Sequence, residues 1–105
     1  MGFDKTNYED VEPFAPGMHF LRDALDCENL GITVLDAVAG WEGKEHDHTG
    51  DGQEEVYLLL DGAGQITVDG EEAALGPGDA VRVDADSTRQ LYFDEESQMV
   101  IVGAD

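Results

Sequence analysis

Positive charge is scarce in this 105-residue chain. Only 5 Lys and Arg residues stand against 25 Asp and Glu residues, which gives a formal net charge of −20 at pH 7. So few cations cannot form the basic patch that binds nucleic-acid phosphates or an anionic membrane surface. We therefore expect neither nucleic acid nor membrane among the partners of this protein.

The acidic residues are spread along the whole chain instead of being gathered in a tail. Carboxylates at this density stay hydrated, but they repel one another in dilute buffer, and salt screens that repulsion. We interpret the composition as an adaptation to high intracellular salt, which predicts a halophilic source. An acidic protein from a mesophile is the alternative interpretation.

Cysteine and long apolar runs are scarce as well. Cys27 is the only cysteine, so no disulfide can form within the chain and a reducing compartment is expected. The longest apolar run covers residues 56–60, far fewer than a membrane span needs. The first residues lack the basic and apolar regions of a signal peptide. These absences predict a cytoplasmic protein.

Proline is rare and falls mainly in the N-terminal segment. Two of the 3 prolines, Pro13 and Pro16, lie within residues 1–17 and prevent a helix from continuing there. We expect residues 1–17 to form an extended arm that docks on the rest of the chain. The side chains available for docking are Tyr8, Val11 and Phe14.

Residues 18–105 carry frequent glycine-containing turn signals and hardly any helical pattern. Asp69-Gly70 is a tight hairpin signal, and Gly76 to Asp79 marks another turn. The predicted strands cover residues 18–22, 30–38, 55–60, 65–68, 80–83, 88–93 and 98–102, and residues 46–48 open a further one. An antiparallel jelly-roll β-barrel is the simplest way to bury so many short strands, and it also leaves few unpaired strand edges. We predict an all-β domain.

Histidine is rare too, but two of the 3 histidines, His46 and His48, lie two residues apart. Side chains at this spacing on a strand point to the same face, and Glu55 on the next strand could bring a carboxylate to them. Two His and one carboxylate can hold a divalent transition metal and leave positions open for substrate. We therefore identify these three as candidate metal ligands. The alternative is that they are ordinary polar residues at a barrel mouth.

The pattern Gly40-x5-His46-x-His48-x6-Glu55-x6-Gly62 resembles the first motif of the cupin superfamily. The resemblance implies a jelly-roll barrel that binds a small molecule in its interior, with a divalent metal such as Fe, Mn, Ni or Zn. If the protein is an enzyme, the resemblance implies a metal-dependent dioxygenase or a sugar isomerase or epimerase. Small members of the superfamily usually pair, so a homodimer is expected, formed through the open face or the N-terminal arm.

One departure from the family pattern is the gap between His48 and Glu55. The gap holds six residues, 49–54, where the family usually has three or four. We interpret the additional residues as a bulged loop that lets the next strand recover its register. Glu54 is a rival ligand, but the step to the last Gly of the motif selects Glu55. Strand parity agrees, because Glu55 and Tyr57 share one face.

A second departure concerns the last metal ligand of the family. Counting from Gly78 along the second cupin motif places Arg89 where the family has a His, and arginine cannot ligate a metal. Three explanations stay open. In the first, the other three ligands hold a metal without a fourth. In the second, the metal is lost and Arg89 pairs with Glu55 or with an anionic ligand. In the third, residues 84–93 are shifted from this register and Arg89 points outward.

Three residues are candidates for ligand binding. Arg89 would anchor an anion, Tyr57 lies on the predicted inner face, and Trp41 follows Gly40 in a turn where it could stack on a ligand. For both aromatic residues, packing in or over the core is the alternative. The alternative function is accordingly a non-catalytic ligand-binding or sensing module without metal, in which Arg89 grips an anionic ligand.

Overall fold

The computed structural model describes residues 2–104, and these residues are almost entirely strands and turns. A 3-10 turn covers Tyr8–Asp10. Eight strands follow within the described residues: β1 Met18–Phe20, β2 Leu30–Ala37, β3 Glu54–Asp61, β4 Gly64–Val68, β5 Glu71–Leu75, β6 Ala80–Val83, β7 Arg89–Phe93 and β8 Ser97–Ala104. No helix of residues 2–104 has the length and apolar character needed to cross a membrane.

The strands form two sheets in which every pair is antiparallel. A five-stranded sheet has the order β1-β2-β8-β3-β6, and a three-stranded sheet has the order β5-β4-β7. The long neighbours β2, β8 and β3 come from distant parts of the chain, as expected of a jelly roll. The predicted all-β, antiparallel jelly-roll class is confirmed.

Alternation along β3 shows how the sequence sets the core. Tyr57 and Leu59 are buried, whereas Val56 and Leu60 face outward and are 39% and 47% exposed. Tyr57 lies opposite Ile101 in β8, so successive strands send alternate side chains into the same interior. Burial of each large apolar side chain contributes about 1.5–3 kcal/mol. The core also includes Leu35, Ile66, Leu75, Val83, Leu91, Phe93 and Met99.

Two local expectations were wrong. Residues 46–48 do not open a strand: His46 makes an isolated β-bridge with Arg89, and β3 begins only at Glu54. The reason is that the backbone of residues 46–48 forms hydrogen bonds with β7 and with the turn that precedes β7. Strand β5 was missed, because residues 71–74 are all exposed and carry no apolar alternation. It is the outer strand of the smaller sheet.

The N-terminal segment contacts β1 through a few specific interactions. The Tyr8 ring packs edge-on against His19, with 5.3 Å between centroids, and His19 Nδ1 lies 2.8 Å from the Val11 carbonyl oxygen. Phe14 stacks on Phe20 but stays 76% exposed. The segment therefore combines a 3-10 turn with side-chain docking, and the placement of a domain boundary at residue 17 stays a prediction.

Candidate functional site

A cavity of about 270 Å³ opens between the two sheets. Its walls are largely apolar and come from five strands, β1, β2, β3, β7 and β8, and from the connection between β2 and β3. The apolar wall consists of Met18, Phe20, Trp41, Leu91 and Ile101. The polar part of the lining consists of Thr33, Lys44, His46, His48, Glu55, Tyr57 and Arg89. All six residues predicted to bind metal or ligand therefore line one cavity.

Backbone hydrogen bonds hold the two histidines at this cavity although they lie outside the strands. The N–H of His46 donates to the Arg89 carbonyl at 3.0 Å, and the N–H of Arg89 donates back at 2.8 Å. Two residues later, the N–H of His48 donates to the Ala85 carbonyl at 2.8 Å. These bonds attach the loop to β7 and to the turn before it. The imidazoles are thereby brought to the inward-facing Glu55 of β3.

His46, His48 and Glu55 are close enough to share one metal ion. One ligand atom from each lies within 4.8 Å of the other two, and the imidazole centroids are 5.2 Å apart. Nε2 of His48 is 3.1 Å from Oε1 of Glu55. That distance alone suggests an ion pair, but the alignment is not that of a hydrogen bond, and this buried Nε2 has no hydrogen-bond partner among residues 2–104. A buried, unpartnered nitrogen beside a carboxylate is what a metal ligand requires before the metal arrives.

The other nitrogen of each imidazole is already engaged. Nδ1 of His46 donates to the Lys44 carbonyl at 2.9 Å, and Nδ1 of His48 donates to the Asp51 carboxylate at 3.0 and 3.1 Å. A carbonyl and a carboxylate only accept, so each neutral imidazole carries its proton on Nδ1 and its lone pair on Nε2. Both histidines are therefore in the tautomer that ligates a metal through Nε2. Two such imidazoles and a carboxylate fit a divalent ion such as Zn, Fe, Mn or Ni.

Asp51 is well suited to accept this hydrogen bond. The hydrogen bond from His48 and a second one from the backbone N–H of Gln53 hold the pKa of the Asp51 carboxyl below its ordinary value. The group is therefore ionised near neutral pH. Sequence reasoning missed Asp51, because a single carboxylate carries no signal in a chain with 25 acidic residues.

Arg89 points inward, so the reading in which it points outward is wrong. Its side chain is fully buried, with Nη1 3.4 Å from Oε1 of Glu55 and Nη2 donating to the Asp84 carbonyl. Its Nε is buried without a hydrogen-bond partner in the described residues. The contact at 3.4 Å is long for a hydrogen bond, but a buried guanidinium needs a counter-charge, and Glu55 supplies it.

Tyr57 completes the surroundings of Glu55. Its hydroxyl donates to Oε1 of Glu55 at 2.5 Å. Burial, together with this hydrogen bond and the negative charge of Glu55, raises the pKa of Tyr57 far above its ordinary value. The phenol is therefore always protonated and serves as a fixed donor to the carboxylate.

Trp41 lies at the side of the cavity, between solvent and core. Its ring packs at a tilt against Phe93, with 5.7 Å between centroids, and it is partly buried. It can therefore contact both the core and a molecule in the cavity. The two roles predicted for Trp41, packing and ligand contact, are compatible in this position.

Comparison with known proteins agrees with the fold. The family model for Cupin_2, the cupin domain, matches residues 34–103. A cupin protein from Bacteroides fragilis is 25% identical over 100% of this chain and 86% of its own, with a TM-score of 0.84. KdgF from Halomonas sp. is 20% identical over 99% of this chain and 94% of its own, with a TM-score of 0.79.

A third similar structure is a sugar phosphate isomerase from a cupin superfamily, from Silicibacter pomeroyi. It is 19% identical over 96% of this chain and 75% of its own, with a TM-score of 0.74. At identities under 25%, this structure and KdgF show a shared fold alone. A search of curated proteins finds no match. Because the family model covers more than half of the sequence, the chain belongs to the Cupin_2 family of cupin domains.

Proposed function

We propose that this protein binds a small molecule inside its barrel at a divalent metal held by His46, His48 and Glu55. One observation carries the proposal: acceptors on both Nδ1 atoms leave the Nε2 lone pairs of two histidines available, and each histidine has a ligand atom within 4.8 Å of a carboxylate oxygen. The cavity of about 270 Å³ suits a small metabolite. A metal bound there would act as a Lewis acid and orient the substrate.

The residues around the ligands have separable roles in this proposal. Arg89 and Tyr57 hold the Glu55 carboxylate, because both contact Oε1. A cation close to a metal ion is unfavourable unless a carboxylate lies between them, and Glu55 contacts both Arg89 and His48. The apolar wall holds the body of the ligand and excludes water. If the site is catalytic, isomerisation or epimerisation of a sugar and metal-dependent dioxygenation are the reactions that the family resemblance favours.

Metal content tests this proposal directly. We expect protein purified in molar KCl, without chelator or nickel affinity resin, to contain close to one metal ion per chain by mass spectrometry. His48→Ala should lose the ion, because it removes the buried, unpartnered nitrogen. His19→Ala is the matched control, since His19 contacts the N-terminal segment and lies outside the cavity lining. Wild-type protein without metal, even after reconstitution with Fe, Mn, Ni or Zn, would contradict the proposal.

The second candidate function is a metal-free module in which Arg89 anchors an anionic ligand. It is favoured by one observation, the buried Nε of Arg89 that has no hydrogen-bond partner within residues 2–104. It becomes the better explanation if the wild-type protein cannot be loaded with metal. In that case a small anion such as succinate should quench the fluorescence of Trp41, the single tryptophan, in the wild type. Arg89→Met should abolish this quenching.

We also propose that the partner of this chain is a second copy, bound through the outer face of the larger sheet. Two rows of apolar side chains cross β2, β8 and β3 there, and we call them the outer apolar face. The first row is Ile32, Val102 and Val56, and the second is Val34, Val100 and Leu58. No charged residue lies in these rows. Two copies can therefore meet here without bringing carboxylates together, although each chain carries a net charge of −20.

A further inference from the structure

We infer that Asp51 is a positioning residue that orients His48 for metal binding. The inference rests on the proposed metal site and assigns a role to the loop between His48 and β3. Both carboxylate oxygens of Asp51 lie within 3.1 Å of Nδ1 of His48. Nε2 of the same ring is buried, unpartnered among the described residues and 3.1 Å from Oε1 of Glu55.

The two ends of the His48 ring are coupled by its single proton. A neutral imidazole carries its proton on one nitrogen, and a carboxylate at Nδ1 holds the proton there. Nε2 then keeps its lone pair for a metal ion and lies 3.1 Å from Oε1 of Glu55. An ionised acceptor also makes the imidazole a stronger base and fixes the orientation of the ring. Nδ1 of His46 donates only to a neutral acceptor, the backbone carbonyl of Lys44, so the two histidines have different supporting contacts.

The length of the loop is what brings Asp51 to this place. The loop turns back on His48 itself: the N–H groups of Asp51 and Gly52 both donate to the His48 carbonyl, at 3.2 and 2.7 Å. Gly52 has a φ of +69°, which glycine adopts without strain. The six-residue gap between His48 and Glu55 accommodates this turn. A gap of three or four residues would remove this turn, and the Asp51 carboxylate would no longer lie beside His48.

A purely structural role for Asp51 is the competing explanation. Its Oδ1 also accepts the backbone N–H of Gln53 at 3.2 Å, so it stabilises the loop as well. Asp51→Asn separates the two roles. With Oδ1 kept on the Gln53 N–H, the amide NH₂ takes the place of Oδ2, and the acceptor left beside Nδ1 of His48 is the neutral Oδ1 in place of an ionised carboxylate. A donor in the place of Oδ2 favours the opposite tautomer, with the proton on Nε2.

The matched control is Asp47→Asn. It removes the same charge from a residue next to His48. Within residues 2–104 the Asp47 carboxylate accepts from the Thr49 N–H and forms no hydrogen bond or ion pair with either imidazole. We expect Asp51→Asn to weaken Zn²⁺ binding by about 10–100-fold, as losses of such supporting groups usually do. Affinity would be measured by competition with a chromophoric chelator. Asp47→Asn should change the affinity little.

The second readout is the tautomer of each neutral histidine in the metal-free protein, from long-range ¹H–¹⁵N NMR spectra. We expect the Nδ1–H form of His48 in the wild type and its loss in Asp51→Asn, with His46 unchanged as internal control. Equal Zn²⁺ affinities of the two variants, with the His48 tautomer retained, would overturn the inference. If the wild type fails to bind Zn²⁺ or the other metals, the proposed function fails. The NMR comparison then still decides whether Asp51 sets the tautomer.

Discussion

Glu55 is the residue that contacts the other polar and charged groups of the site. Its Oε1 accepts from the Tyr57 hydroxyl at 2.5 Å and also lies close to Arg89 and to Nε2 of His48. A carboxylate with so many neighbours has its orientation fixed before any ligand arrives. In the proposed metal site, a fixed positive charge, Arg89, stands where the family resemblance implies a fourth imidazole.

Arg89→His tests whether this exchange lowers the affinity for metal. We expect the variant to bind Zn²⁺ more tightly than the wild type, because a fourth imidazole is added and a cation next to the ion is removed. Affinity is again measured by chelator competition. Arg82→His is the control, since Arg82 forms surface ion pairs with Glu54 and Asp84. Unchanged affinity in Arg89→His would mean that position 89 does not face the ion.

The sequence could predict that the candidate metal ligands lie together, but it could not predict their supporting contacts. The structure brings His46, His48 and Glu55 within reach of one ion and places position 89 in the same cavity lining. That these residues bind a metal stays a prediction. The partners of Nδ1 depend on how the loop folds. One is a backbone carbonyl, which has no sequence signal, and the other is a single carboxylate, Asp51, among many.

At the scale of elements, the strands with a clear apolar pattern were predicted and the irregular segments were not. β4 alternates in its sequence, β3 is a continuous apolar run, and turns delimit both, so their positions were readable. The run predicted β3 to be buried on both faces, but the structure buries one face only. Strand β5 has one buried residue, Leu75, and depends on pairing with β4. The His46 segment is held by long-range backbone bonds to Arg89, which no local pattern encodes.

The turn between β3 and β4 shows why the last residue of the first motif is glycine. Gly62 is buried with a φ of +99°, and a Cβ placed there would lie 2.0 Å from Oγ of Ser97 and 2.6 Å from the Glu96 carbonyl oxygen. The position therefore requires glycine for two reasons, backbone conformation and close approach of β8. Gly70, in the next turn, has a φ of +83° but open space around it.

Comparison of Gly62→Ala with Gly70→Ala separates these two reasons. We expect Gly70→Ala to cost about 1 kcal/mol of unfolding free energy through backbone strain alone. Gly62→Ala should cost roughly 1–3 kcal/mol more, because Ser97 and the backbone of Glu96 must move. Urea unfolding of both variants in the same KCl buffer gives the difference. Equal losses would show that the β3–β4 turn relaxes freely and does not anchor β8.

At the scale of the whole molecule, net charge and apolar surface oppose each other. The chain carries 25 acidic and 5 basic residues, yet Val56, Leu60 and Val102 are 39%, 47% and 36% exposed on the larger sheet. Association through the outer apolar face would bury Val56 and Val102, while the total charge of two chains resists it. Salt screens the repulsion and leaves the hydrophobic attraction in place, so the balance depends on ionic strength.

We therefore expect both association and stability to increase with KCl. Light scattering after size exclusion should give twice the chain mass in molar KCl and a lower mass at low salt, and the thermal midpoint should rise over the same range. Val56→Asp should remain monomeric in molar KCl, because it places a carboxylate within the outer apolar face. Val38→Asp is the matched control, since Val38 is 67% exposed and lies outside the strands. A wild-type chain that stays monomeric in molar KCl would exclude the outer apolar face as a dimer interface. A thermal midpoint that does not change with salt would exclude charge repulsion as the limit on stability.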